Sequence, residues 1–133
     1  MLEDPLSLLC LYGLWVIVTM VAQVLAAAAQ VGLVTLSYPR DNMPPLTGVA
    51  GRLERALRNS VVALALVAPP VLVLALRAPE GLAPAGAVTL AMQVFLVSRI
   101  LFVPVYAAGI PFLRTLIWAA GFIATLWLYL QAL

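Results

Sequence analysis

The chain has 133 residues, of which 65% are hydrophobic and only 9% charged, with a net charge of +2 and a mean hydropathy of +1.15. A soluble domain carries roughly 25% charged residues, so this composition excludes a water-soluble fold and marks an integral membrane protein. All seven basic residues are arginine, histidine is absent and Cys10 is the single cysteine. That set excludes imidazole catalysis, histidine-held haem or zinc, any intrachain disulfide and any paired-cysteine metal site, so no metal site is expected, and it carries too little charge for nucleic acid.

The first run is uncharged from Asp4 to Arg40, and predicts a helix over about 6–36 that must tilt or project from the bilayer. Its acidic start, "MLEDP", and its length differ from a secretory signal, so it reads as a retained helix. Cys10 is expected to be a small buried hydrophobe. Ala26 to Ala29 and Gly32 offer a small-residue surface for close helix packing, as in a trimer seam. Gln23 and Gln30, seven apart, suit hydrogen bonds across such a seam or inside one subunit.

"SYPRDNMPPLTG" reads as a loop. A second helix is predicted over 49–77 with a kink at Pro69-Pro70, then a turn at "RAPEGLAP". A third helix spans 84–107, "AGIP" turns the chain, and a fourth spans 112–131. The expectation is one all-α domain over 1–133, a four-helix up-down membrane bundle. Alternating spans gather Arg40, Arg52, Arg55, Arg58 and Arg114 on one side and leave Arg77 on the other. By the excess of arginine, the 37–51 loop is cytoplasmic and both termini are external. Tyr12, Trp15, Trp127 and Tyr129 then form an aromatic belt at the outer interface.

Arg99 lies roughly 13 Å inside the end of its helix at ~1.5 Å per residue. A charge at that depth is costly unless it is paired or faces a wet cavity. Arg55, Asn59 and Val62 share one face of the second helix, flanked by Arg52 and Arg58, and Arg99 shares a face with Tyr106. The only acids on this side are Asp41 and Glu54. The arginines therefore either snorkel to phospholipid headgroups or line an anion site open to the cytoplasm.

"PPLTGVAGRLERALRN" and "SRILFVPVYAAGIPFLRTLIWAAG" resemble the MAPEG family, the membrane-associated proteins in eicosanoid and glutathione metabolism. The markers are Arg55-Ala56-x-x-Asn59, Arg99 seven before Tyr106, and Arg114 soon after. The resemblance covers most of the chain and looks like a bacterial-type member. It implies a homotrimer, in a bacterial inner membrane, with glutathione as co-substrate held between subunits near the cytoplasmic face. Arg55, Arg58, Asn59, Arg99, Tyr106 and Thr115 would hold the peptide, and Arg114 would stabilise its thiolate. Lipophilic electrophiles would enter from the lipid.

In one place the sequence departs from this pattern. The glutamate that the family carries three residues after the asparagine is Val62 here. Its loss removes a partner for glutathione's ammonium, a charge-assisted bond of roughly 1.5–3 kcal/mol. Three readings follow: a glutathione-dependent transferase or peroxidase, a non-catalytic accessory or lipid-binding trimer that could join a larger membrane complex, and a small transporter using Arg99.

Overall fold

The first helix begins where Asp4 accepts hydrogen bonds from the Ser7 and Leu6 amides at 2.9 and 3.4 Å, with proline at the first helical position. The Ser7 hydroxyl adds a bond of 2.7 Å, and together these hold the Asp4 carboxyl below its ordinary range. In this computed structural model, which describes residues 2–133, that helix is α1 (Pro5–Val31). It stops at Gly32, whose φ of +88° lies in a region other residues rarely adopt. A five-residue α2 (Leu33–Ser37) follows. The single helix expected over 6–36 is therefore broken at Gly32, and only the first piece has spanning length.

A loop with one 3-10 turn at Arg40–Asn42 leads to α3 (Gly48–Leu76), which runs unbroken through Pro69 and Pro70. A second 3-10 turn, Ala78–Glu80, is tied by the Arg77–Glu80 ion pair at 2.7 Å and precedes α4 (Ala85–Ala108) and α5 (Leu113–Ala132). Glu80's neighbour Arg77 holds the carboxyl below its usual range, and the same contact raises the guanidinium. Helices α1, α3, α4 and α5 are each long and apolar enough to cross a bilayer. The protein is an all-helical integral membrane bundle of four spans.

The largest helix contacts are α4 with α5 and α1 with α3, and α3 also packs on α4 and α5. The core is filled by Leu8 and Tyr12 of α1, Val67 of α3, Met92 and Phe95 of α4, and Leu128 of α5, all fully buried. Apolar side chains such as Leu14, Ile17, Leu90 and Ile123 point outward, as expected where the solvent is lipid.

Two expectations change at this level, and for Gln30 one of two open alternatives is realised. Tyr12 is not part of an interfacial belt: it is fully buried, its hydroxyl donates to the Ser60 carbonyl at 2.9 Å, and its ring meets Phe95 edge-on at 4.8 Å. An internal acceptor, the Ser60 carbonyl of α3, is what draws it inward. Cys10 is exposed rather than buried, because it lies on the outward face of α1, where an apolar group costs nothing in lipid. Gln30 bonds within the subunit, donating to the Thr47 hydroxyl at 2.6 Å and accepting from the Thr47 amide at 3.1 Å. It thereby fastens the end of α1 to the start of α3.

Candidate functional site at the arginine end of the bundle

The arginine-rich end is built around close backbone approaches. A Cβ at Gly51 would stand 2.5 Å from the Leu46 carbonyl oxygen, so glycine lets the loop fold onto α3. One residue on, Arg52 donates from Nε to the Ala107 carbonyl at 2.7 Å, satisfying a terminal acceptor of α4. Its guanidinium lies against Gly109, which closes α4 in the left-handed conformation at φ +76°. Sequence reasoning treated Arg52 only as a flanking charge. The structure makes it the clamp between α3 and α4.

Three residues beyond Gly109 the chain passes through a strained link. Leu113 N donates to the Pro111 carbonyl at 2.6 Å, and Phe112 has φ +58° and ψ −56°. This is a tight three-residue γ-turn of the rare type, which costs of order 1–3 kcal/mol at a non-glycine residue. It reverses the chain between α4 and α5 and sets the heading of Arg114 in the first turn of α5. Arg114 lies over the Tyr106 ring with its guanidinium carbon 4.9 Å from the centroid. No ion pair or hydrogen bond occupies its donors among the described residues. It is a cation held in place by a ring, with its fork free.

Arg99 is the deepest charge, nine residues before the end of α4, and only 4% exposed. Its Nη1 donates to the Asn59 side-chain oxygen of α3 at 3.0 Å, while Nε is buried without a partner. The rings of Phe95 and Phe102 lie 5.5 and 5.8 Å from its guanidinium carbon. An arginine at the centre of a spanning helix costs about 2.5–3.5 kcal/mol on insertion scales. One charge-assisted hydrogen bond returns about 1.5–3 kcal/mol, so the side chain is tolerated there. Its charge nevertheless has no opposite among the described residues.

Two adjoining cavities carry these groups. The upper one, about 190 Å³, is lined by Asn59, Phe102, Tyr106, Arg114, Thr115 and Trp118. The lower one, about 240 Å³, shares Asn59 and Trp118 and continues along α3 and α5 past Val62, Arg99 and Phe122 to Tyr129. The structure thus brings together Asn59, Arg99, Tyr106, Arg114 and Thr115. Arg55 and Arg58 stay outside both cavities: Arg55 is exposed on the surface, and exposed Arg58 makes a loose 3.8 Å pair with Glu54. Two further cavities hold no free cation. One at the opposite end of the bundle contains Arg77, already paired with Glu80, and the other is an apolar groove on the outside of α4 and α5.

Residues 5–133, nearly the whole chain, match the MAPEG family. The chain belongs to that family. MAPEG proteins include glutathione transferases and peroxidases as well as non-catalytic members. No curated protein and no solved structure matches the chain. Within this MAPEG bundle, sequence reasoning missed Gly121 of α5. A Cβ there would stand 2.5 Å from the Ser98 hydroxyl and 3.0 Å from Arg99 Nε, so the helix can close on Arg99 only because position 121 is bare. The sequence offers no signal for this contact, since residues 22 apart on different helices have no periodic relationship.

Proposed function

We propose that this MAPEG protein is a glutathione-dependent membrane transferase acting on lipophilic electrophiles. The observation that supports the reading is the pairing of a polar cavity, holding the unoccupied donors of Arg114, with an apolar chamber that shares two of its walls. A free thiol titrates near ~8.5, so most of it is protonated at neutral pH, and an adjacent guanidinium favours the thiolate. Arg114 would hold the sulfur as an anion, with Thr115 and Tyr106 as neutral donors. The thiolate sulfur forms a bond to an electrophilic carbon, the leaving group departs with its electron pair, and the thiol proton passes to water. Arg55, one turn nearer the membrane surface than Asn59, and Arg58, directly before Asn59 in the chain, would meet the peptide's carboxylates from outside the cavity.

The same reading takes the protein as a homotrimer in a bacterial inner membrane, with the 37–51 loop cytoplasmic and both termini external. A thiol-conjugation assay on purified protein, with a generic aromatic electrophile and glutathione, tests it. Protein-dependent adduct formation supports the transferase, and a rate equal to the uncatalysed one counts against it.

A second reading, a non-catalytic lipid-binding or accessory member, is favoured by one observation. Val62 faces the chamber of Arg99 where the resemblance calls for a carboxylate, so nothing there is placed to meet glutathione's ammonium.

A further inference from the structure

The lower chamber has a use that the glutathione reading leaves open. Its one charge is Arg99, nine-tenths buried, with an orphaned Nε and a single neutral partner in Asn59. The stretch of α5 that walls it, from Trp118 to Tyr129, is about 16 Å long. Near the charged end the Trp118 and Phe122 rings stack on each other, with centroids 5.2 Å apart and planes 10° from parallel, and both line the chamber as an aromatic wall. Beyond them Leu66 and Leu126 continue the apolar lining.

We propose that this chamber binds a lipophilic aryl carboxylate, its carboxylate on Arg99, its ring against Trp118 and Phe122, and an alkyl tail running toward Tyr129. One guanidinium neutralises one negative charge, and its planar fork matches a carboxylate. The ring finds edge-to-face partners in the aromatic wall. Glutathione suits this chamber poorly, because its ammonium and second carboxylate would be buried without partners. A phospholipid suits it poorly too, since its phosphate is tethered at the interface and Arg99 lies about 13 Å inward. A weak carboxylic acid moves through lipid as the neutral acid and gives its proton to water on binding. The proposal stands on Arg99 and the chamber alone, and needs no thiol.

The test is calorimetric titration of the purified protein in phosphatidylcholine nanodiscs with 4-heptylbenzoate, 4-heptylbenzyl alcohol and dodecanoate, without glutathione. We expect one 4-heptylbenzoate per chain, bound about tenfold or more tighter than the alcohol and more tightly than dodecanoate. Val62→Glu, which brings a carboxylate of its own to the chamber, should weaken the aryl acid about tenfold. Equal affinity for acid and alcohol in the wild type would overturn the role of Arg99, whether or not the variant folds. Dodecanoate binding as tightly would overturn the assignment to an aryl acid. Displacement of the probe by phosphatidylglycerol, one for one, would assign the cation to phospholipid and overturn the proposal. Because no thiol is present, this result is independent of whether glutathione binds.

Discussion

Arg99 rests against the bare backbone of Gly121, close enough that a Cβ at position 121 would lie 3.0 Å from its Nε and 3.4 Å from its Cζ. The buried cation of α4 thus depends on a missing side chain in α5.

Gly121→Ala should therefore destabilise the protein. Alanine gains about 0.8–1 kcal/mol of helix propensity, but overpacking a filled site costs about 1–3 kcal/mol. Ser98 has little freedom to yield, since it is buried and its hydroxyl donates to the Phe95 carbonyl at 2.7 Å. We expect a melting temperature lower by a few degrees. Gly86→Ala, where a Cβ meets nothing within 4 Å, should leave it unchanged or slightly raised.

The turn at Phe112 gives a second expectation. Phe112 is 82% exposed, so replacing it removes little packing within the subunit. Phe112→Gly should relieve backbone strain worth of order 1 kcal/mol or more while loosening the heading of Arg114. A thermal melt and a conjugation assay on one preparation would show stability held or raised and turnover lowered. A variant with unchanged turnover would mean the strained turn does not position Arg114.

Much of the bundle was legible because lipid imposes a simple rule: apolar runs of spanning length, separated by proline, glycine and charge, become helices. The break at Gly32 was hidden inside such a run, since hydropathy does not register a single residue with positive φ. Tyr12 was misread for a related reason. An aromatic near a helix end looks interfacial unless its internal acceptor, the Ser60 carbonyl 48 residues away, is known. At the site, the shared faces of Arg99 with Tyr106 and of Asn59 with Val62 could be read from helical spacing. The clamp from Arg52 to Ala107 and the vacancy at Gly121 could not, because both join different helices through tertiary packing.

Arg114 should act on the thiol itself. Arg114→Ala is expected to lower the conjugation rate by about 100-fold, as for loss of one donor to a developing anion. The bound thiol should also titrate closer to ~8.5 in the variant, because the cation that favours the thiolate has gone. Thiolate absorbance against pH in the glutathione complex reads this directly. An unshifted titration would remove Arg114 from the chemistry.

Topology offers an independent check on the side from which glutathione arrives. Reporters fused after Leu133 should be active only outside the cytoplasm, and reporters inserted in the 37–51 loop only inside it. The reverse pattern would put the arginine end of the bundle outside the cell membrane, away from cytoplasmic thiols.

The central claim, that the cavity beside Arg114 is a glutathione site, is tested most directly by melting curves of the wild type and Val62→Glu with and without millimolar glutathione. Val62 lies in the chamber that shares Asn59 and Trp118 with that cavity, so a carboxylate at position 62 would supply a partner for the ammonium. Binding to the folded state raises the melting temperature by mass action. We expect glutathione to raise it in the wild type, and to raise it further in Val62→Glu, in keeping with about tenfold tighter binding. No rise in either protein, with Val62→Glu destabilised by an unpaired charge, would contradict the claim.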